Sequence, residues 1–160
     1  MASKGNKTLH KGIPQLKDAF VIIVKTEWNN HIVDVLEKAA IDSLKQQNVA
    51  CKTLVVPGAV EIPFAVNAFH QNHKKKADAF ITLGCVIKGD TPHFDYVCKA
   101  VTDGVLALNL SLDVPVIFGV LTVNDEQQAL DRAGGVHGNK GEEAALTAIK
   151  MIALNKKLKK

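Results

Sequence analysis

Between Leu83 and Val97 the chain reads LGCVIKGDTPHFDYV, and His93 is the residue there best suited to chemistry. A free imidazole has a pKa of about 6.5, so near neutrality it both gives and takes protons. Its setting adds a second capability. An apolar run from Phe80 to Ile87 stops at Lys88-Gly89, and Asp90-Thr91-Pro92 leads into an amphipathic stretch. Thr91 suits a helix N-cap and Pro92 the first helical position. Such a turn presents unpaired backbone N–H groups and the positive end of a helix dipole, which together stabilise a phosphate. His93, in the first helical turn, would stand beside that anion. A strand-to-helix loop that merely holds a histidine is the plainer alternative.

Other candidates sit at the ends of apolar runs. Trp28, the only tryptophan, follows Thr26-Glu27 and precedes Asn29. It is either a stacking platform for a flat ligand or a loop aromatic packed on its own helix. In VPGAVEIP, Val56 to Pro63, the Pro57-Gly58-Ala59 turn frees the backbone for close approach to a ligand, and Glu61 offers acceptors for hydroxyl groups. Alone, Glu61 reads rather as a carboxylate complementing a helix dipole. Arg132 and Lys140 flank the turn AGGVHGNKG, and Arg132 could grip a phosphate with its fork or serve as a surface cation. His70 and His73 lack further ligands nearby in sequence, so no metal site is expected. His10, His31 and His137 form no interpretable pattern. Dinucleotide, Walker-type and esterase signatures are absent from the sequence.

The elements that must position these residues alternate regularly. Strands are expected over Ala19–Lys25, Cys51–Val56, Phe80–Ile87 and Pro115–Thr122. Helices are expected over Asn30–Asn48, Glu61–Lys75, Pro92–Leu110, Asp125–Arg132 and Lys140–Leu158, with Gly134, Gly135 and Gly138 breaking the chain before the last. This alternation implies βαβ units and a parallel sheet covered on both faces. The expected fold is a three-layer α/β, flavodoxin-like domain: a four-stranded parallel sheet flanked by helices. Residues 19–160 form that single domain, and residues 1–18 are a segment that is mobile or docks on a neighbouring subunit. In an open parallel sheet the strand ends share one edge, which would gather Trp28, Glu61, His93 and Thr122.

Composition narrows the function classes. A chain of 160 residues can bury a real core, and its formal charge of +4 is mild. The basic clusters, Lys74 to Lys76 and the C-terminal lysines, lack interleaved aromatics, so nucleic-acid binding is not expected. Three cysteines without a CxxC pair fit a reduced, cytoplasmic protein. No apolar run is long enough to span a bilayer, so no membrane association is expected.

Five segments then carry a family resemblance: Trp28-Asn29, VPGAVEIP, TLGCVIKGDTPHFDYV, PVIFGVLT and LDRAGGVHGNKGEEAALTAIKM. In this order and spacing the chain resembles the 6,7-dimethyl-8-ribityllumazine synthase family from about Phe20 to about Leu158. Such enzymes act at the penultimate step of riboflavin biosynthesis. The resemblance implies a transferase that condenses 5-amino-6-(D-ribitylamino)uracil with 3,4-dihydroxy-2-butanone 4-phosphate, without cofactor or metal. It implies that Trp28 stacks on the pyrimidine. Asn29, Ala59, Val60, Glu61, Cys85, Val86 and Ile87 would hold pyrimidine and ribityl chain, with Phe118 entering from an adjacent subunit. The backbone at Asp90 and Thr91, with Arg132, would hold the phosphate. His93 would transfer protons, supported by Lys140 and Glu143. It further implies pentamers with active sites between subunits, association into a sixty-subunit icosahedral shell, and association with riboflavin synthase.

Three positions depart from the family pattern. Glu27-Trp28-Asn29 stands where many members have Arg-Phe-Asn. Asp90 puts a carboxylate where phosphate is expected. Val136 replaces a frequent lysine, which shifts the phosphate load to Arg132 and His93. One rival reading is a different aldol- or elimination-type phosphate enzyme on the same fold, and a second is a flavin- or pterin-binding module without catalysis. The module would keep Trp28 and Phe118 but would not need His93 beside Arg132.

Overall fold

The computed structural model describes residues 8–159. Its strands are β1 (Phe20–Thr26), β2 (Ala50–Val56), β3 (Ala79–Ile87), β4 (Val116–Val123), β5 (Ala133–Gly135) and β6 (Gly138–Asn139). Its helices are α1 (Asn30–Gln46), α2 (Ile62–Asn72), α3 (His93–Ser111), α4 (Glu126–Leu130) and α5 (Lys140–Leu158). The first four strands form one parallel sheet in the order β2-β1-β3-β4. This is the expected α/β architecture.

Alternation along β1 decides which face each side chain serves. Val21 and Ile23 point to the layer built by α1 and α5, with Ile32, Leu36, Ile149 and Ile152. Phe20, Ile22 and Val24 point to the opposite layer, with Ile62 and Val66 of α2 and Val101 and Val105 of α3. Both faces are thus apolar, as a covered parallel sheet requires. Close contacts lock the layers. A β-carbon on Gly141 would collide with the Leu36 backbone, and one on Gly104 with the Pro63 ring.

Boundaries differ from expectation where side chains divert the backbone. The segment expected as helix from Glu61 begins with a 3-10 turn over Ala59–Glu61, and α2 ends at Asn72. Lys76 Nζ turns back to the His70 carbonyl at 2.6 Å, supplying a donor that a longer helix would have given. The helix expected over Asp125–Arg132 spans Glu126–Leu130, and the Asp125 side chain caps its start by accepting from Gln128 N–H at 2.8 Å. The glycine turn is a small antiparallel hairpin, with Gly134 and Gly138 at φ of 111° and 79°.

Residues 1–7 of the N-terminal segment lie outside the described residues. In the remainder, Ile13 and Leu16 pack on the α1–α5 core layer, and Lys150 Nζ donates to the Lys11 carbonyl at 2.9 Å. No helix among the described residues is long and apolar enough to cross a membrane.

Candidate active site

An open cleft of about 560 Å³ lies at the carboxyl ends of β1 and β3, between the Ala59–Glu61 turn and the start of α3. Trp28, Asn29, Ala59, Val60, Glu61, Cys85, Val86, Ile87, Thr91 and His93 all line it, with Thr26, Gly58 and Gly89. Phe94 and Val97 complete the wall. Those two were missed in the sequence. The helical i, i+4 spacing of His93 and Val97 was the signal that could have placed Val97 beside the histidine.

The β1–α1 loop is held from several sides. Glu27 N–H donates to the Val56 carbonyl at 2.9 Å and Trp28 N–H to the Pro57 carbonyl at 3.2 Å. Thr26, almost fully buried, donates its hydroxyl to the Trp28 carbonyl at 3.1 Å. Asn29 adopts the left-handed region at φ 57°, and its Nδ2 donates to the Cys85 carbonyl at 2.8 Å. Asparagine tolerates that conformation better than most residues. The loop is fixed while the Trp28 ring stays 74% exposed, presenting a free aromatic face. On the opposite wall a β-carbon at Gly58 would stand 3.0 Å from Glu61 Oε2, so the missing side chain gives that carboxylate its room.

His93 is the first residue of α3 and is exposed. Thr91 is not the helix cap. Pro92 holds that position with helical φ and ψ of −61° and −6°, and no side chain bonds to the helix end. Proline's fixed φ brings the helical backbone one residue ahead of α3, where the Pro92 carbonyl accepts from Asp95 N–H at 3.0 Å. Asp90 is exposed and does not line the cleft, whereas its neighbours Gly89 and Thr91 do.

The family model described as 6,7-dimethyl-8-ribityllumazine synthase matches residues 18–156. A relative of that name from Porphyromonas gingivalis is 46% identical over 150 residues, covering 92% of each chain. One from Parabacteroides distasonis is 47% identical over 143 residues, 88% of each chain. One from Bacteroides fragilis is 52% identical over 135 residues, 81% of this chain and 92% of its own. The chain belongs to the 6,7-dimethyl-8-ribityllumazine synthase family.

Besides Asp90, four residues that the lumazine synthase resemblance assigns to the site stand off this cleft within the chain: Phe118, Arg132, Lys140 and Glu143. Phe118 lies on the edge strand β4 opposite Thr82, and is 40% exposed. Arg132 Nη1 donates to the Gln128 carbonyl at 2.8 Å, holding the guanidinium against α4. Lys140 Nζ and Glu143 Oε2 pair at 2.5 Å at the start of α5. Thr122, expected at the same sheet edge, is also outside the wall. Its strand β4 is the outer neighbour of β3, and the cleft opens over β1 and β3.

Electrostatics separate the Cys85 thiol from its backbone. Burial pushes the thiol up to about 11, with the Glu126 carboxylate adding to the effect, so it stays protonated near neutrality. Cys85 thus meets the cleft as a neutral wall residue whose carbonyl holds Asn29.

Proposed function

We propose that the chain catalyses lumazine formation: 5-amino-6-(D-ribitylamino)uracil and 3,4-dihydroxy-2-butanone 4-phosphate condense, releasing phosphate and water, in the penultimate step of riboflavin biosynthesis. One observation carries this reading. In a chain of the lumazine synthase family, a π-face (Trp28), a carboxylate (Glu61) and a proton-transfer group (His93) wall a single cleft.

The Trp28 face stacks on the pyrimidine. Asn29, Ala59, Val60 and Glu61, with the β3 end at Cys85, Val86 and Ile87, hold the pyrimidine and ribityl chain. The uncapped start of α3 and the backbone at Asp90-Thr91, together with Arg132, bind the phosphate. His93 moves the protons that imine formation, phosphate elimination and ring closure require. The Lys140–Glu143 pair supports it electrostatically. Bringing both substrates into one cleft turns a chance encounter into a held geometry. Condensation and elimination need neither a redox cofactor nor a metal.

The active sites lie between neighbouring subunits, one chain supplying the His93 cleft and the next supplying Phe118 and Arg132. The position of those two residues away from their own cleft supports this. Exposed Phe64, Tyr96, Leu106 and Leu110 support burial by neighbours in a pentamer. The short hairpin at residues 133–139 supports closure of pentamers into a sixty-subunit shell. Unpaired Cys51, Cys85 and Cys98 support a cytoplasmic location, and the reading includes association with riboflavin synthase.

The test is incubation of the purified protein with both substrates. Lumazine fluorescence should rise with one phosphate released per product. Absence of product from well-folded protein would refute the assignment.

A further inference from the structure

At the amino-terminal edge of the sheet, opposite the cleft, the α2–β3 loop meets the end of α5. Lys156 Nζ pairs with Asp78 at 3.2 Å, and Lys159 Nζ with Asp113 at 3.0 Å. Lys75 Nζ sits 4.0 Å over the Phe20 ring, and Lys76 bonds only backbone carbonyls. With exposed Lys74 and Lys157, this pole holds six lysines against two aspartates. That excess of four positive charges equals the formal excess of the entire chain. Net charge gathered at one pole steers partners of opposite sign to it.

The pole is also concave. A cavity of about 370 Å³ with an apolar floor of Ala77, Val114 and Ile152 opens among Lys76, Lys156 and Lys159. A second groove of about 300 Å³, walled by Met151, Leu154 and Leu158, adjoins it and shares Asp113, Val114, Asn155 and Lys159. An apolar groove thus adjoins a mixed one, in which Lys76, Lys156 and Lys159 face Asp78 and Asp113, while the excess positive charge of the pole stands beside them on Lys74, Lys75 and Lys157.

We propose that this double groove docks an extended acidic polypeptide segment, with one or two aliphatic side chains in the apolar groove and carboxylates against the lysines. Two features favour a peptide over nucleic acid. Among the described residues the pole has no exposed aromatic face for bases, because Phe20 lies under Lys75 and Phe69 is stacked on His73. It has no arginine fork for phosphates among the residues that line it. Two linked grooves also fit a chain better than a flat lipid surface.

The probe is a fluorescently labelled peptide of two leucines followed by six glutamates, titrated with the full assembled protein. Binding should appear at low salt and weaken at least about tenfold by 0.3 M salt. Lys74→Glu/Lys75→Glu/Lys157→Glu should weaken it at least about tenfold, with lumazine formation unchanged. The milder Lys74→Ala/Lys157→Ala should weaken it in the same direction, which keeps the test decisive if the reversal variant misfolds. No binding at low salt, or equal binding by a folded variant, overturns the proposal. Tighter binding of oligothymidylate or of phosphatidylserine vesicles than of the peptide also overturns it.

Discussion

Asn29 Nδ2 donates to the Cys85 carbonyl at 2.8 Å, tying the loop that carries Trp28 to the end of the strand that leads to His93. The two walls of the cleft are therefore joined by one amide, in a residue whose backbone is left-handed at φ 57°. Asn29→Gly removes the amide but suits that conformation, while Asn29→Ala removes it and adds about 1 kcal/mol of backbone strain. Stability should fall in the order wild type, Gly, Ala. Lumazine formation should fall by a similar factor in both variants. Equal stability of the Gly and Ala variants, or wild-type turnover in either, would separate the bond from the site.

The exposed Trp28 ring should quench when a flat fused-ring ligand stacks on it. Riboflavin titration should reduce tryptophan emission, which reports this one residue. The quenching should be relieved by ribitylaminouracil. Full emission at saturating riboflavin would refute the stacking role.

Much of this arrangement was legible in the sequence because strong local signals agreed with the tertiary packing. Lys140–Leu158 is a helix with the expected bounds. Asn139 caps it with bonds to Gly141 and Glu142 N–H, and its apolar face meets α1. The parallel sheet followed from four apolar runs separated by amphipathic ones. What was not legible depended on distant partners. Nothing local announces that Asn29 takes a left-handed backbone, since its partner lies 56 residues away. The Thr91 cap failed because proline's dihedrals, not threonine's hydroxyl, set the start of α3. Lys25 is the next-to-last residue of β1, and nothing local in the sequence announces its partners. In the fold it is largely buried between Asp34 and Glu37 of α1.

That lysine gives a prediction on stability. Burial lowers its pKa, but hydrogen bonds to Asp34 and Glu37 outweigh this and hold it above the ordinary 10.5. A raised folded-state pKa stabilises fully below 10.5, and the gain is lost as pH rises through the folded value. Lys25→Met also strands the Glu37 carboxylate, which Thr53 alone would then bond, at 2.6 Å. The variant should lose about 1–3 kcal/mol near neutrality. Denaturant titrations should show the gap to wild type narrowing above pH 10.5. A gap that stays constant would remove Lys25 ionisation from the account of stability.

Sharing of sites between subunits is testable by mixing. His93→Ala and Arg132→Ala should each be at least about tenfold less active than wild type as pure assemblies. Co-refolding them should restore partial activity, because some interfaces then pair an intact cleft with an intact arginine. A mixture as inactive as its components would place both residues in a site made by one chain.

The most direct measurement is lumazine formation by wild type and His93→Ala at saturating concentrations of both substrates. The expected result is turnover lowered about ten- to a thousandfold in the variant, with ribitylaminouracil binding and thermal unfolding little changed. Wild-type turnover in a folded His93→Ala protein would contradict the assignment of proton transfer to this cleft.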